Sequence, residues 1–159
     1  MVNIAVMGFG TVGSGVVEVL TENAASIARK AANEICVKYI LDMREFPDSP
    51  FADRIIHDFA VIEQDGDVPV VVETMGGTGA AYDFTKRCLL AGKNVITSNK
   101  ELVASHGYEL LNLAKEAFQF LLHEFACDMF GREMGIHLCL HVVGRSGLAQ
   151  HEGGNIFLG

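Results

Sequence analysis

Six residues, Gly8-Phe9-Gly10-Thr11-Val12-Gly13, constrain this chain more than any other feature, because they stand between an apolar run, Val2 to Met7, and a stretch of helical periodicity. Each glycine answers a separate demand. Gly8 allows a tight turn out of the strand, Gly10 lets the backbone approach a pyrophosphate, and Gly13 lets the following helix pack close to the sheet. The free N–H groups and positive dipole end of that helix then face the phosphates. A glycine-rich turn serving packing alone is the plainer reading. The strand before it and the helix after it favour dinucleotide binding through Gly8, Phe9, Gly10, Thr11, Val12 and Gly13.

The rest of the first three quarters alternates strand and helix signals, the pattern of a doubly wound parallel sheet in an α/β fold. Val12, Val16, Leu20, Ala24, Ile27 and Ala31 recur at offsets of three and four, which predicts one long helix from about Thr11 to Ala31. Ile35 to Leu41 reads as a second buried strand. Pro47, Asp48 and Pro50 break regular structure, and Asp53 to Gln64 reads weakly as helix. Val68 to Glu73 is a third strand, followed by a helix from Gly79 to Ala91 with Ala81, Phe84, Cys88 and Ala91 on one face and Gly92 as its stop. Asn94 to Thr97 is a fourth strand. Ser105 is a plausible cap for a helix to about Ala117 that buries Leu110, Leu111, Ala114 and Phe118, and Phe118 to Leu122 suggests a fifth strand.

An acidic residue at the end of the second strand would accept hydrogen bonds from the adenosine ribose, and Asp42 holds that position. It follows Gly13 by more than the usual spacing of about 20 residues, which the long helix accounts for. Asp42 could instead cap the next loop. Arg44 could hold a 2′-phosphate, so NADP and NAD both remain open as cofactor. At two further strand ends, Thr74, Met75 and Gly76 would lie against the cofactor, and Ser98 and Lys100 beside its nicotinamide end. Both segments could equally be turns, with Lys100 an exposed lysine at a helix start.

Twelve basic against twenty acidic side chains give a formal charge of -8 over 159 residues, with no basic stripe, so no nucleic acid is expected as a partner. No apolar run approaches the roughly 20 residues of a membrane span, so no membrane is expected either. Cys36, Cys88, Cys127 and Cys139 are widely spaced. The first two sit in apolar patterns that suit reduced buried thiols, and a cytoplasmic location follows.

Composition shifts near Ala117. Residues 1–116 carry ten basic and sixteen acidic side chains, whereas the last 43 hold two Arg, no Lys, four of the six His and seven Gly. His123, Cys127, His137, Cys139 and His141 could ligate zinc, but their spacing lacks the paired pattern of closed sites, so no metal is expected.

Together, Gly8-Phe9-Gly10-Thr11-Val12-Gly13-Ser14-Gly15, Val71-Val72-Glu73-Thr74-Met75-Gly76-Gly77 and Ala91-Gly92-Lys93-Asn94-Val95-Ile96-Thr97-Ser98-Asn99-Lys100 resemble the NAD(P)-binding domain of homoserine dehydrogenase, in letters, order and separation. The resemblance runs from residue 1 to about 116. It implies a Rossmann-like domain and a nicotinamide-dependent interconversion of aspartate semialdehyde and homoserine, within threonine, methionine and isoleucine synthesis. It further implies that Lys100 sits beside the reacting carbon as the catalytic lysine, that the partner is this small-molecule substrate, and that the intact enzyme is a homo-oligomer. In the family a second lysine and acidic substrate-holding residues lie in a later catalytic and dimerisation domain, and this sequence departs from the pattern after about Leu122.

The expected organisation is therefore an NAD(P)-binding domain over residues 1–122 and an atypical tail over 123–159, from a truncated or frame-shifted chain with little activity alone. A non-catalytic nicotinamide-nucleotide-binding module, or a different small α/β enzyme, are the alternatives.

Overall fold

The central strand β1, Val2–Met7, buries Ile4, Ala5, Val6 and Met7 almost completely. A strand points successive side chains to opposite faces, so both faces of this one must be covered. In the computed structural model, which describes residues 1–117 and 121–123, helices cover both. Ala5 and Met7 enter one core with Val71, Val95, Leu89, Leu102 and Leu110, while Ile4 and Val6 enter the other with Val17, Val37 and Ile40. Each fully buried aliphatic side chain contributes about 1.5–3 kcal/mol, so the two cores together outweigh any single polar contact.

The elements follow as α1 (Thr11–Glu22), α2 (Ala24–Ala31), β2 (Ile35–Leu41), a 3-10 turn (Ala52–Arg54), β3 (Ile55–Ile56), α3 (Phe59–Gln64), β4 (Val70–Glu73), α4 (Gly79–Leu90), β5 (Asn94–Thr97), α5 (Lys100–Glu116) and β6 (Leu121–His123). The six strands among the described residues pair in parallel in the order β3-β2-β1-β4-β5-β6. This is the doubly wound order, and its direction reverses between β1 and β4, where such sheets open a crevice at the carboxyl ends of the strands.

The structure corrects several expectations. The single helix from Thr11 to Ala31 is two helices, divided at Asn23, whose backbone (φ -101°, ψ 16°) leaves the helical region and whose side-chain amide donates to the Val19 carbonyl. The buried stripe of α1 runs through Gly13 and Val17, with Val12 half exposed, because Gly13 has to face the sheet. Asp53 to Gln64 is a 3-10 turn, a two-residue strand and a short helix, since Ile55 and Ile56 pair with Ile40 and Leu41. The third predicted strand starts at Val70, after Pro69, which has no N–H for the ladder. The last helix starts at Lys100 with Asn99 as its cap, the Asn99 side chain accepting from Leu102 N–H, so Ser105 lies inside it. Helix α4 stops as expected, with Gly92 at φ +78°. Cys88 is buried and Cys36 half-buried, both as free thiols. The expected burial of Phe118 falls outside the described residues.

Candidate functional site

Gly8 leaves β1 with φ +94°, a conformation that disfavours any side chain, and Met75 and Thr74 pack within 3.1 Å of where its Cβ would be. Thr74 closes the turn from the other side, its hydroxyl lying 3.0 Å from the Met7 carbonyl and 2.9 Å from that of Gly8. Gly13 is tighter still, since a Cβ there would stand 1.8 Å from the Gly8 oxygen. Gly10 is different. A Cβ on it would meet nothing within 4 Å, and as the N-cap of α1 it offers no side chain to the first helical N–H groups. Those donors need an acceptor, and the space before them is open, which fits the pyrophosphate of a dinucleotide.

The space belongs to a cleft of about 640 Å³ at the carboxyl ends of β1, β2 and β4, bounded by Gly8, Gly10, Asp42, Arg44, Thr74, Met75 and Gly76. Seven of the residues expected from the sequence thus meet at one crevice. Phe9, Thr11, Val12, Gly13, Ser98 and Lys100 do not line it. Phe9 turns its ring into the core, edge-on to Phe46 at 5.0 Å and Phe51 at 6.5 Å, and offers only its backbone. Thr11 and Val12 are exposed on the first turn of α1, and Gly13 is buried beneath it. Lys100 is exposed at the first turn of α5, with no hydrogen bond or ion pair from its side chain among the described residues, and Ser98 is half-buried just before it.

Asp42 does two jobs at the end of β2. Its Oδ2 accepts from Phe9 N–H at 2.7 Å, which fixes the glycine turn, while both oxygens engage the Arg44 guanidinium at 3.0 and 2.9 Å. Oδ1 also accepts from Arg44 N–H, the contact expected of a residue that caps the following loop. The Arg44 guanidinium, with these backbone donors, holds the Asp42 carboxyl well below the usual carboxylate range despite partial burial.

Sequence reasoning missed Met43, His57, Ala80 and Phe84, which also line the cleft. His57 follows the two-residue β3, and its Nδ1 lies 2.6 Å from the Asp42 carbonyl oxygen while Nε2 lies 3.1 Å from Glu45. The signal was the Ile55-Ile56 pair, too short to read as a strand. Phe84 stacks on Phe59 at 4.2 Å and was expected only as a core residue.

Beneath the β4–α4 turn lies a buried polar cluster. Glu73 is fully buried at the end of β4, its Oε1 accepting from Met75 N–H at 2.7 Å and its Oε2 from the Thr97 hydroxyl. Burial pushes this carboxyl up, against those hydrogen bonds. Among the described residues no three His, Cys, Asp or Glu side chains could hold a metal ion. Cys127, His137, Cys139, His141 and the His123 side chain fall outside what the structure describes. No helix among the described residues is long and apolar enough to cross a membrane.

Sheet order, open glycine turn and acidic β2 terminus together define a dinucleotide-binding domain of the doubly wound class. The family model described as the NAD binding domain of homoserine dehydrogenase matches residues 8–124, and the chain belongs to that family. Its cofactor is accordingly NAD or NADP. The homoserine dehydrogenase of Lactococcus lactis is 36% identical over 130 residues, covering 79% of this chain and 30% of its own length. That of Corynebacterium glutamicum is 37% identical over 128 residues, covering 79% of this chain and 28% of its own. Among solved structures, S. aureus homoserine dehydrogenase superposes with a TM-score of 0.71 at 35% identity, over 78% of this chain and 32% of that one. The chain thus spans about 30% of the length of the curated relatives it matches.

Proposed function

We propose that this chain carries the cofactor half of a homoserine dehydrogenase, acting on the aspartate semialdehyde and homoserine pair in threonine, methionine and isoleucine synthesis. The observation that carries the reading is the open turn at Gly10, set in a sheet that belongs to this family. A bound nicotinamide cofactor supplies or takes up the hydride. The first N–H groups of α1 bind its pyrophosphate, Asp42 and Arg44 hold the adenosine ribose or its 2′-phosphate, and Thr74, Met75 and Gly76 flank the middle of the cofactor. Lys100, at the start of α5, holds or passes the proton at the substrate oxygen, a role worth about 10²- to 10⁴-fold in rate.

Residues 1–122 form this unit in our reading, with 123–159 a separate tail, in a cytoplasmic protein that assembles as a homo-oligomer. Positioning the substrate in line with the nicotinamide is worth about 7–11 kcal/mol of barrier, and the resemblance assigns those groups to a later domain of the family. The 159-residue chain alone should therefore bind NAD or NADP yet oxidise homoserine well below an enzymic rate. A non-catalytic nucleotide-binding module is the second reading, favoured by the placement of Lys100, which is exposed and does not line the cleft. Purified protein with homoserine and NADP or NAD, followed by absorbance of the reduced cofactor, separates them: slow turnover lost in Lys100→Ala supports the dehydrogenase, and none at all supports the module. Failure to bind either nucleotide contradicts both.

A further inference from the structure

Glu73 is a fully buried carboxylate that forms no salt bridge among the described residues. Removing a carboxylate from water is costly unless hydrogen bonds replace its solvation, and an apolar residue at a strand end would avoid the cost. Burial of such a group needs a reason. Its two oxygens take donors from two different loops, Met75 N–H in the β4–α4 turn and the Thr97 hydroxyl at the end of β5.

The connection continues past Thr97. The Thr97 oxygen accepts from Asn99 N–H at 3.0 Å, which leaves its own proton for Glu73. Asn99 returns to the first loop, its Nδ2 donating to the carbonyls of Met75 at 3.1 Å and Gly77 at 2.6 Å, while its Oδ1 caps α5. Ser98 N–H donates to the Glu73 carbonyl at 3.1 Å. A closed ring of hydrogen bonds therefore joins the turn that lines the cleft to the start of the helix whose first residue is Lys100. A buried acceptor is costly to leave unpaired, so the Glu73 carboxyl holds both loops in the geometry that keeps its two donors in place.

The ring lies at β4 and β5, across the switch point from Asp42 at the end of β2. In a doubly wound sheet the two halves of a dinucleotide divide at that point, with adenosine on the β2 side. We propose that Glu73 is a positioning residue for the nicotinamide half of the cofactor site, setting the β4–α4 turn against Lys100 through Thr97 and Asn99. This rests on the dinucleotide reading of the cleft and adds to it a residue that does not itself line the cleft.

The test compares whole cofactor with its adenosine fragment on the 159-residue chain, by titration calorimetry: NAD with ADP, and NADP with adenosine 2′,5′-bisphosphate. Glu73→Gln leaves an amide N–H facing Met75 N–H or the Thr97 hydroxyl, and Thr97→Val removes the bridge while keeping the shape. Each should weaken the dinucleotide about tenfold, the scale of one lost buried hydrogen bond, and leave the fragment within about twofold. Thr97→Ser should restore dinucleotide affinity. A merely structural role would weaken dinucleotide and fragment alike, and that result, or no change in either, overturns the proposal. Should Glu73→Gln not fold, the Thr97→Val and Thr97→Ser pair decides it alone. A wild-type chain that binds the fragments and neither dinucleotide also overturns it, whereas one that binds none of the four overturns the dinucleotide reading on which it rests.

Discussion

The carboxylate of Asp42 accepts the Phe9 backbone N–H at 2.7 Å, across 33 residues of sequence, and the same carboxylate grips the Arg44 guanidinium with both oxygens. The end of β2 thereby fixes the glycine turn and neutralises its own charge. An unpaired carboxylate there would repel a 2′-phosphate. Paired with an arginine that is exposed on its outer side, it can accept one.

Arg44→Ala should accordingly weaken NADPH about tenfold or more, by removing a phosphate partner and uncovering Asp42, while NADH stays within about twofold. Parallel titrations with the two nucleotides measure it. Equal losses for both would remove Arg44 from the 2′-phosphate site.

Gly13→Ala should be destabilising beyond the usual range for overpacking, about 1–3 kcal/mol, because the new methyl would meet the Gly8 carbonyl at 1.8 Å and backbone cannot swing away as a side chain does. The readout is the urea midpoint with an unchanged slope. A variant as stable as the parent would show that α1 does not pack on the sheet as described.

Acid sensitivity should reside partly in Asp65. The Lys38 ammonium at 2.6 Å, the Asp67 N–H and the Tyr39 hydroxyl hold its carboxyl down to about 2, below the ordinary 3.8. A folded pKa below the unfolded one means stability that is fully present above about pH 4 and lost as the pH falls through about 2. Lys38→Met removes the first of these causes, so its stability should fall less steeply than that of the wild type between pH 4 and pH 2, and start lower at pH 7. Matching slopes across that window would refute the assignment.

Much of the sheet could be read directly from the residues. Val2–Met7, Ile35–Leu41 and Asn94–Thr97 occupy the expected limits, because strands buried on both faces are mainly apolar, even with Asn3 in the first and Lys38 in the second, and have clear breakers beside them. Ile55–Ile56 could not be read this way, since two residues have no period and only pairing with Ile40 and Leu41 makes them a strand. His57 was lost with it. The division at Asn23 carries no Pro or Gly to mark it, and Asn99 outcompetes Ser105 as a cap because its side chain reaches Leu102 N–H and two loop carbonyls together. At the site, Gly8, Gly10, Asp42, Arg44, Thr74, Met75 and Gly76 converge because glycine spacing and strand ends are local signals. That Glu73 ties two loops together is a tertiary fact, and a Glu ending a strand of valines gave no sign of what it would face.

At Gly10, dinucleotide binding can be separated from folding. Space beside it is open and its backbone (φ -84°, ψ -162°) is extended, so Gly10→Val should fold with stability within about 1 kcal/mol of the wild type, the scale of a changed N-cap. Its side chain would occupy the pyrophosphate position. Calorimetric titration with NAD and NADP should therefore show saturable binding to the wild-type chain and none to folded Gly10→Val at millimolar nucleotide. Folded wild-type protein that gives no heat with either nucleotide, or a Gly10→Val variant that binds as tightly as its parent, would rule out dinucleotide binding at the glycine turn.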